Sequence, residues 1–467
     1  GYSKAEDYVL KATPNEDFKS VYEGYFSSEQ QAIDAGAEDI TEQFFGDGYT
    51  ANYEFGHSYT LVFSNGECAH VSVYVSEYSE PTPTPEPTPE PTPEPTPSVV
   101  KLTLAGDLVM HTPLHDEALQ EDGSYDYVPI FEDVAHYVAD ADYALCCFEG
   151  AFSGDGKWTG YPLFHVPDDL AYSLKEVGFD LVNMASNHAM DNWHEGIIRT
   201  LDVLDEAGLD HVGAYRTQEE RDDNNGILVK EINGISIAFL NYTYGTNGIP
   251  VDGVEFGLNV YTTDYMTYCS KVDYDMLDAD MAAARALGTD IIAVSVHWGG
   301  EYVTGATQYQ TELADYFFAE GADLVIGGHP HVPEPMELRT VTDENGTTRT
   351  GFVCYCLGNL LSCQTRTYTN LTAMVELELT KDPYTGETVI SSCEYVPMIM
   401  LNISDFGMSK QTAGWGRRLW DIRSAIADYE AGDDRGGVIT PYMYSTLQQA
   451  LEDCERIFGT LEMPNNE

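Results

Sequence analysis

Two histidines separated by one residue, His329 and His331, follow an apolar run in the stretch ADLVIGGHPHV. In an extended segment, residues i and i+2 point to the same side, so both imidazoles can reach one metal ion or two neighbouring ions. The preceding Gly327 and Gly328 allow close backbone approach and unusual dihedral angles. A single histidine at a strand end is usually a hydrogen-bonded structural residue, but this pair indicates a candidate metal site.

The same arrangement recurs along the chain, with polar residues at the ends of other apolar runs: Asp107, Glu149, Asn187, His188, His297 and Asn359. In α/β sheets, sites form at the carboxyl ends of strands, where loops converge. Carboxylate, imidazole and amide ligands without a thiolate suit Mn, Fe or Zn in a reactive site better than a structural zinc site. A pair of such divalent ions, bridged by Glu149, would hold an anionic substrate and activate a water molecule.

Alternating strands and helices are predicted around these residues. Apolar runs such as DIIAVSVHWG alternate with helix-like stretches such as GIIRTLDVLDEAG, which predicts an α/β domain with buried strands. A hairpin is expected at Asn233-Gly234, and a helical tail from about Ser409. Asp191 either orients His188 or caps the helix that follows it.

A proline-rich segment, EPTPTPEPTPEPTPEPTPS, divides the sequence at residues 80–98. Proline at almost every second position excludes a helix or a sheet ladder and favours a semi-rigid polyproline II spacer. Residues 1–79 are expected to form a small α+β accessory module, with one amphipathic helix in SSEQQAIDAGAEDITEQFF and three strands after it. The main domain is assigned to residues 99–400, with a helical extension packed on it at 401–467.

The composition excludes one class of partner. The chain has 78 acids, 22 bases and a net charge of -56, and acids are in excess on both sides of the linker. This field argues against nucleic-acid binding through a basic face. The nine cysteines leave at least one without an intramolecular partner. Cys147 and its neighbours look like small core residues, and a disulfide between Cys363 and Cys393 is compatible with the sequence.

Several stretches occur in a recognisable order: LAGDLVM, CFEGAFS, FDLVNMASNHAMDNWHEGIIRTLDVLDEAGL, VSVHWGGEY, IGGHPHVPEPME and YCLGNLL. Together they resemble the CapA (PgsA) family of capsule, or poly-γ-glutamate, biosynthesis proteins, over about residues 99–400. The resemblance implies a calcineurin-like metallophosphoesterase fold of the α/β (α+β) class, a four-layer αββα sandwich. Here it would be preceded by the small α+β domain and the linker.

The resemblance also implies roles for individual residues. Asp107 and His331 look like ligands of a first metal, Glu149 like the bridging carboxylate, and Asn187, His297 and His329 like ligands of a second metal. His188 looks like the general acid that protonates the leaving oxygen. Two positions depart from the phosphoesterase pattern, which has an aspartate at the position of Glu149 and a histidine at the position of Val109.

The resemblance thus implies a CapA-like protein of capsule or poly-γ-glutamate biosynthesis, export or anchoring, with a metal-dependent, phosphoesterase-like hydrolase site. We expect a phosphate ester or anionic polymer as substrate, a membrane synthase complex as partner, and an extracellular location attached to the cell surface. Because the chain begins at Gly1, we expect an export signal or anchor outside this sequence. The alternative is a non-enzymatic metal- or ligand-binding scaffold of a polymer synthesis or export complex, in which the N-terminal module docks a synthase.

Overall fold

The computed structural model describes residues 7–10, 18–45, 49–52, 57–73, 95–154, 156–223, 225–342 and 346–464. The chain divides into two compact units, residues 1–93 and 94–467. Most of the proline-rich segment, residues 80–94, lies outside the described residues, so its predicted conformation stays a prediction. No helix in the described ranges combines the length and the apolar character that crossing a lipid bilayer requires.

The N-terminal unit contains short elements in the order β1 (Asp7–Leu10), β2 (Phe18–Glu23), α1 (Glu29–Asp34), α2 (Thr41–Phe45), β3 (Tyr49–Asn52), β4 (His57–Phe63) and β5 (Cys68–Val73). Strands β2, β4 and β5 form one antiparallel sheet, and β1 pairs with β3. The prediction of one helix in this unit was wrong. The backbone leaves α1 at Gly36, whose φ is +71°, and α2 begins beside Asp39, whose carboxylate accepts from the Thr41 amide.

The strands of the second unit are β6 (Ser98–Val109), β7 (Tyr143–Glu149), β8 (Ala151–Phe152), β9 (His165–Val166), β10 (Leu181–Asn183), β11 (Asp210–Val212), β12 (Leu228–Ile232), β13 (Ile235–Thr243), β14 (Ile291–His297), β15 (Leu324–Gly328), β16 (Met336–Thr342), β17 (Thr348–Cys354), β18 (Asn359–Leu361), β19 (Leu371–Lys381), β20 (Thr388–Asn402) and β21 (Arg417–Asp421). Its helices are α3 (Thr112–Ala118), α4 (Ala135–Ala139), α5 (Asp169–Val177), α6 (Trp193–Ala207), α7 (Gln218–Asp223), α8 (Tyr274–Leu287), α9 (Gln308–Ala319), α10 (Lys410–Ala413), α11 (Ile422–Glu430) and α12 (Pro441–Phe458).

Two large sheets dominate this unit. The first sheet has the order β11-β10-β7-β6-β19-β20-β21, and β18 also pairs with β6. The second has the order β12-β13-β14-β15-β17-β16. Each sheet contains a run of four neighbouring parallel strands: β6, β7, β10 and β11 in the first, and β13, β14, β15 and β17 in the second. The hairpin predicted at Asn233-Gly234 is confirmed, since both residues have positive φ between β12 and β13.

Apolar side chains hold the two sheets face to face. Leu102 and Leu104 of β6 belong to the same buried cluster as Ile237 and Phe239 of β13. The outer face of the first sheet is covered by α5 and α6, and α8 and α9 cover the outer face of the second. Because side chains alternate across a strand, each sheet buries both of its faces. The predicted four-layer αββα arrangement is therefore confirmed.

The sequence predicted a helical C-terminal extension, but the extension also contains a strand. Strand β21 pairs with β20 at the edge of the first sheet, and α11 and α12 follow it. In β21, Leu419 is buried in the cluster beneath α5 and α6, and Trp420 is buried in the cluster between the sheets. Burial on both faces favours a strand over a surface helix, which buries only one face.

Candidate metal centre

The eight residues predicted to form the site are all buried: Asp107, Glu149, Asn187, His188, Asp191, His297, His329 and His331. Asp107 lies near the end of β6, Glu149 ends β7 and His297 ends β14. The two other histidines follow β15, and Asn187 lies in the loop after β10. The carboxyl ends of parallel strands from both sheets thus deliver polar side chains to one place.

The backbone approaches this centre closely at two glycines. A Cβ atom on Gly327 would lie 1.9 Å from the Tyr355 carbonyl oxygen, and one on Gly328 would lie 2.6 Å from Asp107 Oδ1. Neither position has room for a side chain, which agrees with the close approach predicted for these glycines.

The reason for which His329 and His331 converge differs from the prediction. The sequence suggested an extended segment, but both residues have positive φ, +97° and +62°. Such values are uncommon for residues with a Cβ and cost about 1–3 kcal/mol each. The chain therefore turns sharply after β15, and the two ring centroids lie 5.7 Å apart. Strained backbone of this kind often occurs where side chains must be held for function.

One group of ligand atoms comes from Asp107, Glu149 and His331. One atom from each side chain lies within 4.8 Å of the other two, and His331 Nδ1 is 3.8 Å from Glu149 Oε1. The same His331 nitrogen lies 3.0 Å from Asn359 Oδ1. We call Asp107 and His331, together with the shared Glu149, the aspartate half of the centre.

A second group contains Asn187, His297 and His329, with Glu149 between the two groups. His297 Nε2 lies 2.8 Å from Asn187 Oδ1 and 3.6 Å from Glu149 Oε1. The His329 ring centroid is 4.9 Å from that of His297, and the His329 amide donates to Asp107 Oδ2 at 2.9 Å. We call Asn187, His297 and His329 the histidine half. Glu149 Oε1 faces both halves, as a bridging ligand would.

Several buried polar atoms of the centre lack hydrogen bonds within the described part of the chain. Asp107 Oδ1 and both carboxylate oxygens of Glu149 accept no hydrogen bond from the described residues, and the Nδ1 atoms of His297 and His329 likewise have no partner there. Burial is the main cause that raises the pKa of Asp107 to about 6 and that of Glu149 well above its usual value. The Asp107 charge raises the Glu149 pKa further.

The imidazoles show the opposite shift. Burial lowers the pKa of His331 to about 4 and those of His297 and His329 well below their usual range. Neutral imidazoles carry free lone pairs, which metal binding requires. Two carboxylates and three neutral imidazoles, two of which have an unpartnered nitrogen, therefore fit one or two divalent cations, which would neutralise the buried acids.

A second polar pair adjoins the histidine half. His188 Nδ1 lies 2.8 Å from Asp191 Oδ2, and this oxygen also accepts from the Phe164 amide at 2.6 Å. Asp191 makes no cap of α6, whose N-cap residue is Asn192. Of the two roles open to Asp191 from the sequence, the geometry therefore favours orienting His188.

Two residues near the centre were not singled out by sequence reasoning. Asn247 Oδ1 accepts from Asn187 Nδ2 at 3.1 Å, and Asn247 Nδ2 lies 3.3 Å from His188 Nε2. It occupies a loop with φ of +52°, and an Asn-Gly pair in sequence indicates only a turn. Cys147, interpreted as a core residue, places its sulfur within 4.8 Å of ligand atoms of Asp107 and His297. Its register position opposite Asp107 could not be read from the sequence.

The position next to the aspartate half is apolar. Val109 is buried in β6 with Glu149 as its partner on β7. His111, two residues further along, is in neither group of converging ligand atoms among the described residues; its Nδ1 lies 2.9 Å from the Val109 carbonyl oxygen. No disulfide joins Cys363 to Cys393, since both are free thiols.

Comparison with known proteins identifies the chain's relatives. It is 27% identical over 286 residues to a capsule biosynthesis protein CapA of Bacillus anthracis, covering 60% of this chain and 63% of the relative. It is 32% identical over 209 residues to a PGA biosynthesis protein CapA of Bacillus subtilis, covering 45% of this chain and 49% of the relative. The matches thus span less than two thirds of each relative.

Two solved structures are similar at a lower level. One, described as a novel phosphatase from Mycoplasma pneumoniae, has a TM-score of 0.40 and 14% identity, over 68% of this chain and 99% of that chain. The other, the calcineurin-like phosphoesterase YfkN from Bacillus subtilis, has a TM-score of 0.36 and 11% identity, over 77% of this chain and 100% of that chain. At these TM-scores neither likeness supports a further conclusion.

The sequence pattern of one family covers more than half of the chain. It matches residues 101–364, which include every residue of the centre and the His188–Asp191 pair. The resemblance drawn from the motifs is thereby confirmed, and the chain belongs to the family described as bacterial capsule synthesis protein PGA_cap.

Proposed function

We propose that the chain is a metal-dependent hydrolase of the phosphoesterase type that acts in the synthesis or anchoring of an anionic capsule polymer at the cell surface. One observation carries the proposal: Glu149 is fully buried, and neither of its carboxylate oxygens accepts a hydrogen bond from the described residues. It lies between His297 and His331, which are neutral imidazoles and not cations.

Burial of this kind is costly without a counter-charge. An ionised carboxylate removed from water loses several kcal/mol of solvation unless a cation or hydrogen bonds replace the water. Here Asp107 and Glu149 lie together, so their mutual repulsion adds to the cost. The residues that would hold divalent ions are Asp107, Glu149, Asn187, His297, His329 and His331. Bound there, the ions would polarise a phosphoryl oxygen and lower the pKa of a water molecule.

The chain's own residues supply the proton for the leaving group. Asp191 fixes the ring of His188 by accepting from Nδ1, so Nε2 points toward Asn247. A proton taken up at Nε2 produces an imidazolium that the Asp191 carboxylate stabilises. His188 then delivers this proton to the leaving oxygen of the substrate, as a general acid.

The test uses the purified full chain and a Glu149→Gln variant. We expect one or two transition-metal ions per chain by elemental analysis, and metal-dependent turnover of aryl phosphate mono- or diesters. Both should be lost in the variant, with turnover falling at least about a hundredfold. The matched control is Glu334→Gln, because Glu334 is equally buried and burial raises its pKa to about 8. It should keep its metal and its turnover.

A non-enzymatic scaffold is the second candidate, favoured by Val109 at the position where the phosphoesterase pattern has a histidine. In this case the centre binds a metal or ligand, and the N-terminal unit docks a membrane synthase. Such a protein would contain metal but hydrolyse neither phosphate esters nor a polyglutamate amide at any metal loading. Metal content without turnover in the experiment above would select this function.

A further inference from the structure

Positive charge is scarce in this chain, so a basic side chain without an acidic partner is conspicuous. Acids outnumber bases by 78 to 22, and most basic side chains in the described ranges form ion pairs. Within those ranges, Lys271, Arg366 and Arg417 form none. Two of these three, Arg366 and Arg417, line the same cavity of about 300 Å³. We call it the arginine cavity.

The surroundings of the two guanidinium groups leave their charge available. The guanidinium carbon of Arg366 stacks 4.1 Å from the centroid of the Tyr302 ring, and the residue is exposed. Arg417 is half-buried and lies beside the thiol of Cys363. Asp405 also lines the arginine cavity and accepts from Asn402 Nδ2 at 3.2 Å.

An acid near Cys363 is already neutralised. Glu117 lies 3.1 Å from Lys410 Nζ and accepts from the Gly416 amide at 2.9 Å. Its charge is therefore balanced by a lysine and a backbone dipole. Arg366 and Arg417 stand against one carboxylate, that of Asp405, on the wall of the arginine cavity. In a protein with a net charge of -56, this local excess of positive charge attracts anions within a field that otherwise repels them.

The arginine cavity adjoins the metal centre through two short routes. Gln364, on its wall, accepts from Asn359 Nδ2 at 3.0 Å, and Asn359 Oδ1 lies 3.0 Å from His331 Nδ1. Along the second route, the Tyr302 ring that stacks on Arg366 has its centroid 6.0 Å from that of His331. A ligand in the arginine cavity is thus close to the aspartate half.

A cavity on the other flank of the centre has the opposite character. It has a volume of about 690 Å³, borders His329, and is lined by tyrosines and Glu301 without a lysine or arginine. Its carboxylate disfavours an anion, and its rings favour apolar or neutral groups. Of these two cavities, the arginine cavity on the His331 side is the one that favours an anion.

We propose that the arginine cavity is a subsite for an oxyanion of the substrate, a carboxylate or a phosphate group, held by Arg366 and Arg417 while the scissile group lies at the centre. Its role in substrate binding rests on the proposed function, but anion binding itself does not require turnover. Guanidinium groups recognise both oxyanions through paired hydrogen bonds. Exposure of Arg366 predicts that binding weakens as salt is added.

The test is calorimetric titration of the full chain with two probes, inorganic phosphate and a γ-linked triglutamate, in the presence of chelator. The chelator removes any contribution of a bound metal to anion affinity. We expect at least one probe to bind, and an Arg366→Gln/Arg417→Gln variant to bind it about tenfold or more weakly. The probe that binds more tightly identifies the source of the oxyanion as phosphate or polymer carboxylate.

The matched control is Lys271→Gln, which removes an unpaired charge outside the arginine cavity and should leave the affinity unchanged. Arg366→Gln alone, at an exposed position, gives the same comparison if the double variant does not fold. The inference is overturned if neither probe binds, or if the variants and the control bind as the wild type does. It is also overturned if the control loses as much affinity as the double variant.

The outcomes separate this inference from the proposed function. Anion binding that depends on the arginines, in a protein without turnover, contradicts the hydrolase and leaves the subsite intact. Metal-dependent turnover without arginine-dependent anion binding contradicts the subsite alone.

Discussion

The two halves of the centre share Glu149 but differ in the ligands that surround it. The histidine half offers two imidazoles and an amide oxygen, from His297, His329 and Asn187. The aspartate half offers one imidazole, that of His331, beside Asp107, with Val109 as an apolar neighbour. Because imidazole suits Mn, Fe and Zn, we expect the histidine half to bind its ion more tightly. The comparison suggests that one chain can combine a permanent ion with an exchangeable one.

Removing one imidazole from each half tests most directly whether the two halves differ in metal affinity. His297→Ala should lose the tightly held ion and at least about a hundredfold in turnover, because an uncompensated buried carboxylate is left facing the vacated position. His331→Ala should lose only the weakly held ion. Elemental analysis after dialysis, together with aryl phosphate turnover, measures both. Equal losses in the two variants would show that the halves are equivalent.

Placing a histidine at residue 109 tests whether this position limits metal affinity at the aspartate half. Val109 and Asp107 lie two residues apart in β6, so their side chains point to the same side of the strand. Val109→His should therefore strengthen metal binding at the aspartate half by about ten- to a hundredfold. Titration with Mn²⁺ or Zn²⁺ provides the measurement, with Val109→Leu as a control for side-chain size. An unchanged affinity would contradict the view that residue 109 limits this half.

A smaller effect concerns the free energy of unfolding and involves His115, which is not among the metal ligands. His115 of α3 is buried, and its Nδ1 lies 2.8 Å from the Tyr127 hydroxyl. Burial lowers its pKa to about 4, so the folded state favours the neutral ring. Its stabilising contribution is present above the unfolded pKa of about 6.5 and is lost as pH falls from there toward 4, by at most about 3 kcal/mol.

Denaturant unfolding at several pH values measures this contribution. A His115→Asn variant should lack the part of the acid destabilisation that His115 causes, whereas His136→Asn, at an exposed histidine, should unfold as the wild type does. Identical pH dependence in wild type and His115→Asn would contradict the assignment. Neither variant removes a metal ligand, so the metal content should be unchanged.

The sequence predicted those parts of the centre that regular strands position. Asp107, Glu149 and His297 lie at or near the ends of buried strands, and alternation of apolar runs with helices was enough to place them. It did not predict how His329 and His331 converge, because positive φ at residues with a Cβ depends on tertiary contacts. The contacts of Asn247 were not predicted for a related reason, because loop residues leave no periodic pattern in a sequence.

The larger fold shows the same division. The alternation of strands and helices predicted an α/β domain with buried strands, the family resemblance implied its four layers, and the hairpin followed from Asn233-Gly234. Strand β21 was not predicted, because it is short and because its pairing with β20 stabilises it more than its own residue propensities do. Sequence alone also could not show that Arg366 and Arg417, the two arginines without an ion pair in the described residues, share one cavity, since this depends on the packing of distant segments.

The ligands of the centre come from both sheets of the sandwich. Asp107 and Glu149 belong to the first sheet, and His297 to the second. An ion held by Glu149 and His297 would cross-link the sheets, so metal binding and folding would be thermodynamically linked. At a free ion concentration one hundred times the dissociation constant, the linkage contributes about 2.7 kcal/mol to the free energy of unfolding. The metal supply of its surroundings would then contribute to the stability of the fold.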